Sequence, residues 1–243
     1  MQFCAMKKWM ILGGLALAVS MSACDDNEEI IRSGIVIDSD FEQNNNNWTA
    51  DLAEYSTATD TAIIEFRSGR TSLPAPLDKQ RTAFMLQSHN RSDDMFTFLK
   101  RKVNGLKANQ TYTVVFNVEL GTNYPANSVG IGGSPGSSVY LKAGASTVEP
   151  VKKLEDGFYH FNLDKGSQSQ EGKDLFVLGN ISNGLDKEDY KIVQRDNAAK
   201  PVEVKANANG EIWLCVGTDS GYEGLTRLYY DKIRTTITEK VIN

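Results

Sequence analysis

Three short polar stretches carry the residues best suited to chemistry: His89-Asn90-Arg91-Ser92-Asp93-Asp94, Asp164-Lys165-Gly166-Ser167-Gln168-Ser169-Gln170, and Thr218-Asp219-Ser220-Gly221-Tyr222-Glu223-Gly224. Asn90, Asp93, Gln168 and their neighbours supply the donors and acceptors that bind sugar hydroxyls. The carboxylates could also act as a general acid and base. A glycosidase needs two of them roughly 5 to 9.5 Å apart, and Asp94, Asp219 and Glu223 are the first to check. Acids in such loops are more often turn formers or solvated charges, so catalysis ranks below binding. Tyr and Trp present a flat apolar face with a polar edge, which suits them to stack on sugar rings. Trp48, Tyr55, Tyr124 and Tyr222 lie in turn-like surroundings and are the candidate platforms, with loop packing as the alternative for each. Trp213, Tyr112 and Phe116 belong to strand-like runs and are expected in the core.

Other chemistries find little support. Neither His89 nor His160 lies in a hydrolytic motif, and no Gly-x-Ser-x-Gly elbow occurs. Gly130-Ile131-Gly132-Gly133-Ser134-Pro135-Gly136 lacks the Lys-Ser/Thr ending of a phosphate-binding loop, and no helical pattern follows, so it reads as a hairpin loop. Of three cysteines, Cys4 falls in a removable leader and Cys24 at its end. Cys215, alone in an apolar run, reads as an inert buried thiol. One free cysteine and two histidines are too few for a Cys/His zinc site. The formal charge of −5 becomes two units more acidic without Lys7 and Lys8. Phosphate backbones require clustered Lys and Arg, so nucleic acid is not an expected partner.

The elements that must position these loops are short and extended. In Tyr112-Thr113-Val114-Val115-Phe116-Asn117-Val118-Glu119-Leu120 every second residue is apolar, the mark of a half-buried strand. Similar runs occupy 34–37, 62–66, 82–87, 139–143, 158–163, 175–178, 202–206, 211–216 and 227–238. Ile212 to Val216 are apolar on both faces, as in a central strand. Residues 94–103 fit helical spacing too, but the Phe96-Thr97-Phe98 alternation and the following Asn104-Gly105 favour a strand entering a hairpin. Turn signals at Asn183-Gly184, Asn209-Gly210 and Ser220-Gly221 separate the runs. Many short strands so spaced imply an antiparallel sandwich or barrel. With 40% hydrophobic and 23% charged residues in 243, the composition suits a globular protein with one well-buried domain, expected from Gly34 to the C-terminus.

The N-terminus reads as an export signal. Lys7 and Lys8 precede an apolar stretch from Trp9 to Val19, too short to span a bilayer. Ser20-Met21-Ser22-Ala23-Cys24 resembles a bacterial lipobox, with Met21 where leucine is commoner. Residues 1–23 would then be removed and Cys24 acylated, and several acyl chains hold a protein durably on a membrane. Asp25, Asp26, Asn27, Glu28 and Glu29 resemble the surface-export signal of Bacteroidetes lipoproteins. On the residues alone, 24–33 are a self-repelling, solvated tether. Asp60-Thr61-Ala62 matches a short O-glycosylation pattern of exported proteins in that group. Together these predict an outer-membrane, lipid-anchored and surface-exposed protein.

Three segments spread along the mature chain carry a wider resemblance: Asp40-Phe41-Glu42 with Trp48, Val103-Asn104-Gly105-Leu106-Lys107 leading into Tyr112-Thr113-Val114, and Leu228-Tyr229-Tyr230-Asp231-Lys232-Ile233. They resemble the jelly-roll carbohydrate-binding modules of the galactose-binding-like class, which implies an all-β antiparallel sandwich. Residues 130–136, 164–172 and 217–226 depart from that pattern, so the loops that would meet a sugar are not assigned by it. Alternation places Asp231 on one face with Tyr229, Ile233 and Ile237, and a core-facing carboxylate must be paired or bound to a cation. The resemblance implies that Glu42 and Asp231 ligate a structural calcium ion, whose preference is for oxygen donors. Pairing of Asp231 with Lys or Arg is the alternative. The function expected is non-catalytic glycan binding. The alternatives are a structural or adhesion subunit with a surface protein partner and, below that, a glycan-cleaving hydrolase.

Overall fold

Strict alternation makes the longest early strand half-buried. In β7 (Thr111–Thr122) Tyr112, Val114, Phe116, Val118 and Leu120 face the core with between 0% and 5% exposure. Each large apolar side chain so buried contributes about 1.5–3 kcal/mol, which pins the register, because a slip of one residue would turn the whole set to solvent. The structure, a computed structural model, describes residues 34–240. The leader, Cys24 and the acidic tether lie outside the described residues.

Two antiparallel sheets face each other across that core. The first contains β1 (Gly34–Ser39), β4 (Arg67–Ser72), β5 (Thr82–His89), β7, β12 (Lys191–Asp196), β13 (Val202–Lys205) and β15 (Leu225–Glu239). Its order is β12-β7-β15-β5-β4, with β1 beside the C-terminal half of β15 and β13 beside the start of β7. The second runs β11-β8-β14-β6-β2, from β2 (Thr49–Ala53), β6 (Phe96–Val103), β8 (Val139–Ser146), β11 (Leu175–Asn180) and β14 (Ile212–Ser220). Successive strands β5, β6, β7 and β8 alternate between the sheets, and β14 and β15 sit at their centres, so the sandwich is a jelly roll. A third small sheet, β3 (Tyr55–Ser56), β10 (Phe158–Phe161) and β9 (Lys152–Glu155), accompanies a second apolar cluster. In that cluster Phe161 packs against Phe96 and Phe98, with ring centroids 4.8 and 4.9 Å apart. The same cluster contains Cys215, which is fully buried, and burial pushes its thiol well above the ordinary range.

Several expectations need correction. Residues 62–66 are not a strand: Asp60 caps a one-turn helix, α1 (Thr61–Ile64), by accepting from the Ala62 N–H at 2.9 Å, and Glu65 ends it in the left-handed region. An apolar run this short suits either state, and the cap decides. The turn at Asn104-Gly105 closes no hairpin, since β6 and β7 lie in different sheets, and the Gly130–Gly136 segment likewise crosses between sheets from β7 to β8. Trp213 is half-buried on the outer face of β14, with the Lys100 ammonium 5.8 Å from its ring centroid, whereas Tyr112 and Phe116 are core. In β15 a bulge falls between Tyr230 and Lys232. It shifts the alternation, so Tyr230, Ile233 and Ile237 face the main core, Tyr229 joins a cluster with Leu73 and Ala83, and Asp231 sits at the bulge itself.

Candidate functional site

The three polar loops meet at one end of the sandwich. The Asn90 amide donates to the carbonyls of Ser220 (2.8 Å) and Tyr222 (3.0 Å), and its N–H to that of Gly224 (3.1 Å). The Gln168 N–H donates to Asp219 Oδ2 at 3.0 Å, and its side chain to the Asp93 carbonyl at 3.4 Å. A fourth loop joins them, because the Glu223 N–H donates to the Ile131 carbonyl at 2.8 Å. The glycines there allow close approach: a Cβ on Gly130 would lie 2.4 Å from the Tyr222 ring, and one on Gly132, at φ +73°, would lie 2.3 Å from the Gly221 carbonyl.

Beneath this rim lies a buried charge cluster. Lys142 on β8 and Asp219 on β14 are both inaccessible, with Nζ and Oδ2 2.8 Å apart. Lys142 also donates to the carbonyls of Lys165 (2.7 Å) and Gln170 (2.9 Å), and Lys165 reaches Asp219 at 3.0 Å and both oxygens of Asp94 at 3.2 Å. Burial, followed by the nearby Asp219 charge, pushes the Asp94 carboxyl up to about 6, and burial pulls the Lys142 ammonium down. Neither lysine stands out in the sequence as a site residue. The available signal was a lysine between Leu141 and Ala143 in an apolar strand, on the face that the loops cover.

The predicted binding residues therefore divide. Asp93 and Glu223 are exposed, while Gln168, Tyr222 and Asp94 are partly so, all at the rim. Asn90 is 3% exposed and ties loops together, and Asp219 is inaccessible, so neither meets a ligand. All four aromatic platforms pack against the protein, and only Tyr222, half-buried on the main core with its ring beside Gly130 and Gly224, keeps part of its surface open at the rim. Trp48 is 1% exposed, and its indole N–H donates to Ser39 Oγ at 3.0 Å. Tyr55 is buried against Tyr159, with centroids 4.9 Å apart. Tyr124 packs on the core and accepts from the Arg227 N–H at 2.8 Å, and burial pushes its hydroxyl up to about 12. Val129 and Ile131, 95% and 71% exposed on the Gly-rich loop, were not singled out. A cleft of about 420 Å³ lined by Pro125, Asn127, Ser128, Asp186, Lys187 and Glu188 flanks the same loop.

The expected calcium ligands lie elsewhere, around the β15 bulge. The Asp231 side chain is 1% exposed and paired with the Arg81 guanidinium, which also stands 4.0 Å from Glu119. The Glu42 carboxylate accepts from the Thr82 N–H at 3.2 Å, and the carbonyls of Phe41 and Glu42 accept from Arg70 at 2.7 and 2.5 Å. Burial raises the Asp231 carboxyl to about 6 against the pull of Arg81, with Glu119 and Glu42 raising it further. Among the described residues no three acidic, His or Cys side chains are grouped to hold a metal. Arg81 pairs with one Asp231 oxygen, Arg70 serves the carbonyls of Phe41 and Glu42, the Thr82 N–H serves the Glu42 carboxylate, and Asp231 Oδ1 is buried without a partner among the described residues.

No protein-family model matches this chain, and no curated protein does. Among solved structures it is similar to the enzymatically active domain of bacteriophage CBA120 tailspike protein 4, at 12% identity and TM-score 0.35, over 81% of this chain and 20% of that one. It thus spans about a fifth of that domain's length. It is also similar to a mannan-recognising carbohydrate-binding module, TmCBM27, at 10% identity and TM-score 0.35, over 87% of this chain and 98% of that one. A third is a non-crystalline-cellulose-specific module, CBM28, at 11% identity and TM-score 0.33, over 79% and 90%.

Proposed function

We propose that this β-sandwich binds glycan without cleaving it, at the rim where residues 89–94, 164–170 and 218–224 converge. The observation that carries the proposal is that convergence, which leaves Asp93, Gln168, Tyr222 and Glu223 accessible on one surface while Asn90 and Asp219 brace it from below. A rim of carboxylate, amide and phenol groups held by buried hydrogen bonds suits hydroxyl-rich ligands, and the Tyr222 ring supplies the apolar face on which a sugar ring can stack. Catalysis is disfavoured because Asp219 is closed to solvent and neutralised by two lysines, which leaves Asp94 and Glu223 without it. A lipid anchor at Cys24, after removal of residues 1–23, would place the rim at the outer membrane surface. This part of the proposal rests on the leader's residues alone.

A second reading, docking of a surface protein, draws on the exposed Val129 and Ile131 side chains beside the same rim. A glycan array probed with the purified chain tests both. Binding that Tyr222→Ala and Glu223→Ala weaken supports the glycan reading, whereas no glycan binding, with a partner recovered that Ile131→Ser releases, supports docking.

A further inference from the structure

The Lys142–Asp219 pair has a geometry that salt bridging does not exhaust. Both side chains are wholly inaccessible and project from neighbouring central strands, where the β8–β14 register sets Lys142 opposite Gly217 and Asp219 opposite Tyr140. Lys142 Nζ donates to the carbonyls of Lys165 and Gln170 and to Asp219 Oδ2, one acceptor for each ammonium N–H, so loss of the proton on the Asp219 side leaves an amine held by two carbonyls against the carboxyl group. Asp219 Oδ2 receives Lys165 Nζ at 3.0 Å and the Gln168 N–H at 3.0 Å, two fixed donors aimed where negative charge would develop. Asp219 Oδ1 has no hydrogen-bond partner among the described residues. Phe96, buried with Lys165 Nζ 5.8 Å from its ring centroid, helps keep the cluster dry.

We propose that Lys142 and Asp219 condense into an intramolecular amide that staples β8 to β14. Lys142 first gives one ammonium proton to the Asp94–Asp219 carboxyl pair. Its Nζ then attacks Asp219 Cγ, and a C–N bond forms while charge gathers on Oδ2, held by Lys165 and the Gln168 N–H. The C–Oδ1 bond breaks next, and Oδ1 departs as water, carrying two of the three ammonium protons. Asp94, held by Lys165, relays the second of them. Oδ2 remains as the amide oxygen and the amide nitrogen keeps one hydrogen, so no oxidant, reductant or other reactant is needed. The product replaces the fully buried ion pair with a neutral group, and Lys165 stays paired with Asp94. Strand register holds nucleophile and carboxyl in contact, which supplies the effective concentration the reaction needs.

Mass spectrometry of the purified full-length chain, digested with trypsin under denaturing conditions, tests this. The expected product is a branched species in which the Lys142 peptide and the Asp219 peptide are joined, lighter than their sum by one water, with no cleavage after Lys142. Recovery of the two only as separate linear peptides, cut after Lys142, overturns the proposal whatever any variant does. Asp94→Asn, which cannot relay the proton, is expected to yield mainly the linear peptides. An undiminished yield of the branched species from that variant overturns the role given to Asp94.

Discussion

Removing the Arg81 guanidinium isolates the account of the β15 bulge. The folded protein holds the Asp231 carboxyl at about 6, against an ordinary 3.8. At about 1.4 kcal/mol per pH unit, an ionised Asp231 lowers stability at neutral pH by at most about 3 kcal/mol with Arg81 in place. In Arg81→Ala the carboxyl would rise further, but by pH 7 it can take up a proton instead. The total penalty is then capped near the cost of neutralising an ordinary carboxyl at that pH, about 4 kcal/mol. The variant should therefore lose about 1 kcal/mol at neutral pH through Asp231, about 2–4 °C in Tm for a domain of this size. The sign follows from the raised value: the folded state binds this proton more tightly than the unfolded chain does. Its contribution is thus most favourable at low pH and falls as pH rises through about 6, so the difference between variant and parent should vanish near pH 4.5. Millimolar calcium should leave the Tm of both variant and parent unchanged, because among the described residues no three acidic side chains are grouped there to hold it. Thermal unfolding at two pH values, with calcium and with chelator, measures all of this. A chelator-induced fall in the parent's Tm, or an equal deficit at both pH values, refutes the reasoning.

Further outcomes follow from packing and from the rim. Trp48→Ala should lower stability by about 3–5 kcal/mol in denaturant titration and leave the glycan affinity of the remaining folded fraction unchanged, since Trp48 is core. A Cβ on Gly144 would meet the Asp174 carbonyl at 2.0 Å, and one on Gly217 the Phe96 ring at 2.7 Å. Gly144→Ala and Gly217→Ala should each cost at least about 1–3 kcal/mol, seen as a lower denaturation midpoint. Cys215 should resist iodoacetamide in the native protein and react fully in denaturant, because its thiol is buried and held in the protonated form.

The sequence revealed elements whose pattern is local. Period-two alternation located β7 to within a residue or two, and apolar residues on both faces marked β14 as central. The bulge at Asp231 was hidden, because one extra residue reverses the facing of everything before it and Asp231-Lys232 carries no turn signal. The Ala62-Ile63-Ile64 run was misread since one helical turn and a short strand hide their apolar residues alike, and only the Asp60 cap separates them. In the candidate site, loop composition singled out three segments that the fold brings together. It could not show which side chains stay accessible, because the contacts that bury Asn90 and Asp219 join residues 51 to 132 positions apart. Trp48 looked like a platform for the same reason: its Asn-rich neighbours suggest a surface loop, while its indole reaches back to Ser39 on β1.

The central claim is that the converged loops form a glycan-binding surface without catalysis. Isothermal titration of the purified chain against ligands chosen from a glycan array measures it most directly. The account predicts saturable binding, weakened about tenfold by Tyr222→Ala, as expected for the loss of roughly 1.4 kcal/mol of stacking, with the glycan recovered uncut. Full affinity in that variant, or glycan recovered as shorter fragments, would contradict it.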